Sequence, residues 1–271
     1  MRITIKHTTH YAFSKAVAHG LQRLRMHPKE TQGQRVINWQ TELEGLTREA
    51  SYEDQHHNQT MLVSVQAGAK AVSIKCFGTV ETSETAGIIG QHSGHMPLWA
   101  FVNQTPLTRP GPAMRAIITA IDADRENRLA LLHGLSRSVL AAMRYEIGST
   151  DVRTNGEDAA AAGHGVCQDH AHVFVGCARA LGVPARYVSG YLMMNDRIDQ
   201  EAGHAWAEAH IENIGWVGFD VSNAISPDER YIRVATGCDY RDAAPVTGIS
   251  WGDGEIALAV SLAVEQQTVE Q

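Results

Sequence analysis

Three residues in the second half of this chain are of types that together could carry out nucleophilic catalysis: Cys167, His204 and Asp220. A cysteine attacks as the thiolate, so it needs a base that holds or takes its proton. Histidine can act as that base when a third group, such as a carboxylate, fixes its tautomer and orientation. The three side chains therefore predict attack on a carbonyl carbon, with Cys167 as nucleophile, His204 as base and Asp220 as the group that orients it.

Cys167 stands at the start of a predicted helix. Small and apolar residues recur after it at helical spacing: Cys167, Ala171, Phe174, Val175, Ala178 and Leu181. Gly182 and Pro184 then mark the end of that helix. The first turn of a helix has unpaired N–H groups and the positive end of the helix dipole, and both favour an anion. This position therefore favours a thiolate at Cys167.

His204 and Asp220 fall on two successive predicted strands, residues 204–211 and 216–221. Side chains alternate between the faces of a strand, so the connection decides whether the two residues share a face. A two-residue loop at Asn213-Ile214 would place them on opposite faces. A three-residue connection, or a bulge near Gly215, would place them about one diagonal apart on the same face. We predict that irregularity, and a regular two-residue hairpin would contradict the triad.

Other polar residues near Cys167 offer alternatives. His170 and His172 suggest a metal site together with His204, but residues two apart on a helix diverge by about 200° and cannot both face one ion. His164 is a rival base that a glycine-flanked loop would hold poorly. Asp169 fits a first-turn partner of the helix dipole better than a catalytic acid. We therefore predict a site without metal or cofactor.

The totals exclude several classes of protein. Hydrophobic residues make up 44% and charged residues 20% of the 271-residue chain, as in a soluble globular protein. The net charge of −7 argues against nucleic acid or an anionic membrane as the main partner. The N-terminus has no continuous apolar stretch typical of a signal peptide, and no run approaches the ~18 apolar residues of a membrane span. The four cysteines form no C-x-x-C pair, so we expect a reducing cytoplasm, with Cys76 and Cys177 as small buried hydrophobes.

The first third of the chain reads as β-structure. Strand-like runs, separated by turn signals, cover residues 2–13, 20–26, 35–43, 60–67 and 70–81. We predict a β-sandwich-like N-terminal domain at residues 1–105 and a catalytic core at 106–271, with the boundary near a proline-rich stretch. His56 and His57 lie in a polar turn of the first domain, and we interpret them as solvated or strand-face histidines rather than metal ligands.

The rest of the chain alternates helical and strand-like patterns. Helices are predicted at residues 113–123, 127–145 and 157–162 before the cysteine helix, and a strand at 185–194 after it. The polar tail from Glu265 is expected to fray.

At this point the motifs match a known family. The run GVCQDHAHVFVGCARALGVPARYVSGYL, followed by HAWAEAHIENIGWVGFDVSNA, resembles the bacterial transglutaminase-like superfamily, which includes proposed cysteine proteases. The segments HTTHYAFSKAV, LQRLRMHP and DQHHN are similar to the β-rich region that precedes this core, and DYRDAAPVTGISWG is similar to its closing strands. The resemblance covers nearly the whole chain.

The resemblance implies an α+β, papain-like core in which the cysteine helix packs on an antiparallel sheet. It gives Cys167, His204 and Asp220 the roles deduced above, in acyl transfer from a peptide or protein amide through a thioester. Tyr145 is a candidate second oxyanion donor, and Trp206 a candidate substrate-contacting residue with Trp216 and Tyr191. Hydrolysis is the leading interpretation, transamidation of protein glutamine by the same triad is an alternative, and a catalytically silent binding or scaffold module is another.

Three departures from the family pattern stand out. The carboxylate is followed by valine, Asp220-Val221, where proline is usual. The segment before His204 is Glu201-Ala202-Gly203 in place of a small acidic lead-in. The DQHHN segment lacks the usual aromatic-glycine pair. None of these removes a proposed catalytic group.

Overall fold

A computed structural model describes residues 1–200, 202–251 and 254–267 of the chain. The strands are β1 (Arg2–Phe13), β2 (His19–Leu24), β3 (Gln34–Glu44), β4 (Leu46–Glu53), β5 (Gln59–Val65), β6 (Ala71–Thr82), β7 (Ile88–Gly90), β8 (Arg144–Tyr145), β9 (His164–Gly165), β10 (Ala185–Leu192), β11 (Asp199–Gln200), β12 (His204–Ile211), β13 (Gly215–Phe219), β14 (Tyr231–Gly237), β15 (Val246–Trp251) and β16 (Ile256–Gln266). The α-helices are α1 (Pro112–Thr119), α2 (Arg128–Ala142), α3 (Gly156–Ala162), α4 (Cys167–Ala180) and α5 (Tyr240–Ala243), and a 3₁₀ helix covers Leu98–Val102. Glu201 and the last four residues of the polar tail lie outside the described residues.

The N-terminal β-region consists of two antiparallel sheets packed face to face. In the described chain their strand orders are β11-β16-β1-β6-β3 and β15-β2-β5-β4. Buried residues alternate along β1, because one face of the strand is turned inward. The interior between the sheets is apolar and includes Phe13, Leu24, Val63 and Ile74. This confirms the predicted β-sandwich-like architecture.

A third sheet has the order β14-β10-β12-β13-β7 and carries the helices on one face, and β8 and β9 form a separate two-stranded parallel sheet. Alternate residues of β12 (Ala207, Ala209 and Ile211) pack with Phe174 and Val175 of α4 in one buried cluster. Helix α4 forms where it was predicted, since its apolar stripe is buried against this sheet. The cysteine helix therefore lies on an antiparallel sheet in an α+β core, as predicted.

The end of the chain returns to the N-terminal β-region. β15 pairs with β2 along its length, and β16 pairs with β1 from Ile3↔Gln266 to Phe13↔Ile256. In the opposite direction, β7 from the first third pairs with β13 of the catalytic sheet. The division into 1–105 and 106–271 stays a prediction, but each side contributes strands to the other's sheets. The expected fraying at Glu265 is wrong for Glu265 and Gln266, which are paired in β16.

Among the strands that the sequence patterns did not predict, β4 and β14 were missed for opposite reasons. All but the first residue of β4 are exposed, so β4 has no buried stripe and its sequence is polar. β14 is buried at every position, so its two faces do not differ in polarity. Period-2 alternation is absent from both. No helix in the described parts of the chain is long and apolar enough to span a membrane.

Candidate active site

Cys167 is the first residue of α4, at the position that the sequence predicted. The Asp169 carboxylate accepts hydrogen bonds from the Val166 N–H (2.8 Å) and the Thr150 hydroxyl (2.6 Å), and thereby fixes the entry of the chain into the helix. Gly165 makes this possible, because a Cβ there would lie 2.7 Å from the Asp169 side chain. Asp169 therefore caps the helix, and the Cys167 side chain is not needed for capping.

The hairpin that carries His204 and Asp220 has the predicted irregularity. Ile211 pairs with Gly215, so three residues form the connection, and Asn213 at its centre has a φ of +67°. The register continues to Ala207↔Phe219, which would set Asp220 opposite Trp206 and one diagonal from His204. The three-residue connection keeps the parity that a triad requires, as predicted.

The two side chains meet directly. His204 Nε2 lies 2.6 Å from Asp220 Oδ2. That carboxylate also accepts hydrogen bonds from the Tyr231 hydroxyl (2.7 Å) and the Asn223 amide (2.7 Å), while Ser222 donates to its other oxygen (2.7 Å). Asp220 is fully buried, and each of these donors compensates for the water that it has lost. The carboxylate is held as an anion in a fixed position.

The charges of this pair are stabilised by their contacts. Burial alone would lower the pKa of His204, but hydrogen bonds to Asp220 and Cys167, together with their negative charges, raise it to about 10. Burial alone would raise the pKa of Asp220, but the hydrogen bond and charge of His204, with Asn223 and Tyr231, hold it at about 2. An imidazolium beside the thiol is therefore the favoured state at neutral pH.

Cys167 and His204 line one cavity of about 230 Å³. Its walls come from α4, from β10 and from the segment before β12, and β1 contributes His7 from the N-terminal β-region. Three tyrosines, Tyr187, Tyr191 and Tyr240, give the walls a largely aromatic character. Tyr191 is thus a wall residue, as the sequence predicted. The arrangement places a nucleophile and a base at the surface of a mostly apolar pocket.

Tyr145 and Trp206 are placed differently from each other. Tyr145 lies on β8, half exposed, with its ring stacked on His170 at 6.2 Å. Burial, and to a lesser degree the negative charges of Cys167 and Asp220, raise the pKa of Tyr145. Its hydroxyl is therefore close enough to both residues to be affected by their charges. Trp206 is buried, packs 6.1 Å from the His204 ring, and is not among the residues that line the cavity. Trp206 therefore packs against the His204 ring without lining the cavity.

The neighbouring histidines have structural contacts. His170 faces the carbonyl oxygens of Val166 (3.0 Å) and Met143 (3.2 Å) through its two ring nitrogens. His172 accepts a hydrogen bond from the Tyr240 N–H at 3.2 Å, and burial lowers its pKa to about 3. Each ring is held in a different environment, so the two do not face a common ion. His164 lies on β9, which pairs with β8.

Two family models match separate parts of this chain. Residues 115–221 match the model of the transglutaminase-like superfamily, and residues 3–81 match that of the bacterial transglutaminase-like N-terminal region. The chain belongs to the bacterial transglutaminase-like superfamily. The first match spans Cys167, His204 and Asp220, and the second spans most of the strands of the N-terminal sandwich.

Relatives of this chain occur in mycobacteria. An uncharacterized protein of Mycobacterium leprae is 29% identical over 274 residues, which is 96% of each chain. An uncharacterized protein of Mycobacterium bovis is 37% identical over 135 residues, 46% of this chain and 43% of the relative. The crystal structure of a proposed cysteine protease from Cytophaga hutchinsonii superposes with a TM-score of 0.76 at 19% identity, over 100% of this chain and 92% of the other. This likeness supports the papain-like fold of the transglutaminase-like core, and the family supports cysteine-based acyl transfer in general.

Sequence reasoning missed several residues of this transglutaminase-like site. Ser222 and Asn223 follow Asp220 closely and bond back to its carboxylate, a local pattern that the run Asp-Val-Ser-Asn could have suggested. Tyr231 lies 11 residues after Asp220, at the start of β14, and His7 lies far away in the sequence on β1. Neither position carries a local signal, and the sheet topology brings both side chains to the site. These residues complete the shell around the pair.

Proposed function

We propose that this protein hydrolyses an amide bond through a thioester on Cys167, with His204 as base and acid and Asp220 as the group that orients the histidine. The observation that carries the proposal is the 2.6 Å hydrogen bond between His204 Nε2 and Asp220 Oδ2. His204 and Cys167 line the same cavity. Nε2 of His204 is committed to Asp220, which leaves Nδ1 for the thiol. A silent binding module would not need an imidazolium held beside a thiol.

The proposed reaction has two stages. The Cys167 thiolate attacks the carbonyl carbon of the amide, and the tetrahedral intermediate collapses as the imidazolium of His204 protonates the leaving amine or ammonia. The thioester remains on Cys167, and His204 is neutral. A water molecule then gives its proton to His204 and adds to the thioester, which releases the carboxylic acid and restores the thiolate–imidazolium pair.

The oxyanion of each tetrahedral intermediate needs hydrogen-bond donors. The Cys167 N–H is one of the groups that a helix start leaves without an intrahelical partner, and it is adjacent to the reacting sulfur. Tyr145 is the proposed second donor, because its hydroxyl lies in the field of Cys167 and Asp220. Loss of one oxyanion donor costs about 10²–10³-fold in turnover in other enzymes.

Hydrolysis is proposed over transamidation because of the walls of the cavity. The lining residues that the structure describes include no carboxylate that would hold a protonated amine close to the thioester. Water needs no such group. The same acyl-enzyme would serve either reaction, and the two differ only in the acceptor.

The thiol itself provides the first test. Iodoacetamide is reacted at pH 6 with the wild-type protein and with His204→Ala, and labelling of each cysteine is followed by peptide mass spectrometry. We expect fast labelling of Cys167 in the wild type and its loss in His204→Ala. Labelling of Cys167 no faster than that of the buried Cys177 would contradict the proposal.

Trapping of the acyl group provides the second test. Wild-type protein and Cys167→Ala are incubated with cell extract, and the intact masses are compared. An adduct on the wild type alone, removed by hydroxylamine, would identify the thioester and its acyl donor. If a primary amine added in a second incubation appears in the product in place of water, the reaction is transamidation.

A further inference from the structure

A second group of chemically reactive side chains lies where the N-terminal β-region meets the catalytic core. His56 belongs to the loop between β4 and β5, Cys238 follows β14, and Asp242 belongs to α5. One potential ligand atom from each of these three residues lies within 4.8 Å of the others. His56 Nε2 and Asp242 Oδ2 are 3.3 Å apart. We propose that His56, Cys238 and Asp242 bind a zinc ion that connects the two regions.

The donor set fits zinc in type, number and charge. Zinc is bound in proteins by thiolate sulfur, imidazole nitrogen and carboxylate oxygen, at about 2.3, 2.0–2.1 and 2.0–2.2 Å. Ligand atoms at these distances around a tetrahedral ion lie about 3–4 Å from one another. The 3.3 Å between His56 Nε2 and Asp242 Oδ2 is in that range, and the Cys238 sulfur lies within 4.8 Å of both atoms. The Cys238 thiol would lose its proton to solvent on binding. One thiolate and one carboxylate would then neutralise the two positive charges of the ion.

The histidine is held in place by its loop. The Asp54 carboxylate accepts hydrogen bonds from the His56 N–H (2.9 Å) and the Asn58 N–H (3.0 Å), and the Lys29 ammonium donates to the His56 carbonyl oxygen (2.8 Å). The Asn58 side chain pairs with both backbone groups of Thr236, two residues before Cys238. The side chain of His56 is only 2% exposed. The loop therefore presents its imidazole to the end of β14 without further ordering.

The other two ligands are also fixed before any ion binds. The Cys238 N–H donates to Asp242 Oδ2 at 3.0 Å, and its carbonyl oxygen accepts from the buried Arg179 guanidinium at 2.7 Å. Asp239 caps the helix that carries Asp242. Such preorganisation lowers the entropic cost of binding.

A fourth ligand can come from solvent. His56 also lines a cavity of about 710 Å³ between the N-terminal β-region and the catalytic sheet. Asp242 is 33% exposed on its side chain, so the cluster is not sealed. A site with three protein ligands and one water molecule is therefore possible here, and an ion has a route of entry.

The position of the cluster links it to the catalytic cavity. Tyr240, between Cys238 and Asp242 in the sequence, lines that cavity, and its N–H bonds to His172 of α4. An ion held by Cys238 and Asp242 would fix α5 and the cavity wall that it provides. The sequence pattern alone predicts a solvated or strand-face histidine at His56, because nothing in it relates this residue to a cysteine 182 positions away.

Cobalt and zinc binding to the full-length chain test the proposal. The experiment uses Cys167→Ser, so that the catalytic thiol cannot supply a ligand, and that background is kept throughout. We expect one Co²⁺ per chain with a thiolate-to-cobalt charge-transfer band, which one equivalent of Zn²⁺ abolishes. X-ray absorption of the zinc form should show one sulfur at about 2.3 Å and the remaining ligands at about 2.0–2.2 Å.

Matched variants assign the ligands. Cys238→Ser should abolish the charge-transfer band, and Asp242→Asn should weaken Zn²⁺ binding by more than the about 10–100-fold typical of an outer-shell change. The controls are Cys76→Ser and His57→Asn, which alter a distant buried cysteine and the histidine next to His56, and both should bind as the parent does. A charge-transfer band that persists in Cys238→Ser would overturn the proposal. An absorption spectrum of the parent protein without sulfur would overturn it even if the variants did not fold.

Discussion

Helix α4 carries two cysteines whose environments differ at almost every point. Cys167 lies at its first residue and is half-buried at a cavity that it shares with His204. Cys177 lies in its last turn, fully buried, with its thiol 3.6 Å from the Met114 carbonyl oxygen. Burial, and to a lesser degree the charge of Glu157, raises the pKa of Cys177 to about 12. Reactivity is therefore set by the location on the helix and by the partner, since the residue type is the same.

Two histidines near α4 also differ in pKa because of their neighbours. His204 and His172 are both largely buried, and burial lowers the pKa of each. Asp220 and Cys167 reverse that effect for His204 and raise its pKa to about 10, whereas Arg179 and Arg241 add to it for His172, whose pKa falls to about 3. Of these two histidines, the one whose pKa is raised is the one in contact with a carboxylate.

The largest expected effect comes from removal of the reactive cysteine. Cys167→Ala deletes the only atom proposed to form a bond with the acyl group, so kcat/KM on the amide identified by trapping should fall by more than about 10⁴-fold. The free energy of unfolding should change little, because this thiol faces a cavity. Circular dichroism and urea denaturation check that the variant is folded. Turnover retained in this variant would contradict the assignment of Cys167 as the reactive cysteine.

The second prediction concerns the carboxylate that makes His204 a cation. Asp220→Asn should lower kcat/KM by about 10²–10⁴-fold, the upper figure being that of the corresponding change in a Ser-His-Asp triad. It should also lower stability in a defined pH range. The stabilisation from Asp220 is present above pH 3.8 and is lost as the pH falls through about 2. The stabilisation from the charged His204 is fully present below pH 6.5 and is lost as the pH rises through about 10.

Urea denaturation at several pH values measures this effect. The difference in unfolding free energy between wild type and Asp220→Asn should be greatest between about pH 4 and 6.5 and should shrink on both sides. A difference that is constant from pH 4 to pH 10 would show that the pair is not charged as the contacts indicate. Ser222→Ala is a suitable control, since it removes one hydrogen bond from the same carboxylate and keeps the charge.

The sequence predicted the cysteine helix and a hairpin with either a three-residue connection or a bulge near Gly215, because these depend on local periodicity and parity; the structure has the three-residue connection. Helix α4 and strand β12 begin where the pattern placed them. The sequence did not predict Tyr231 and His7 as partners of the site. Their positions depend on the order of strands in the sheets, which no local pattern encodes. The same limit explains why the return of β16 to β1 was missed.

The third prediction concerns the glycine beside the unreactive cysteine. A Cβ at Gly176 would lie 2.0 Å from the Thr108 carbonyl oxygen, a backbone atom that cannot turn aside. Gly→Ala in a helix normally stabilises by about 1 kcal/mol. Here Gly176→Ala should destabilise by about 1–3 kcal/mol or more, as overpacked cores do. The free energy of unfolding measures this. Gly182→Ala is a comparison of another kind, because its Cβ would have no atom within 4 Å, so any cost there comes from the backbone φ of +76° and not from a clash.

The smallest expected effect comes from the second cysteine itself. Cys177→Ala removes a buried sulfur and one weak hydrogen bond, so the unfolding free energy should fall by about 1 kcal/mol. The rate of alkylation at Cys167 and the yield of the acyl adduct should match those of the wild type, because this thiol contacts neither His204 nor the cavity. Slower alkylation at Cys167 in this variant would mean that the two ends of α4 are coupled. In that case the packing of the last turn, and not only the contacts of the first, would contribute to the reactivity of Cys167.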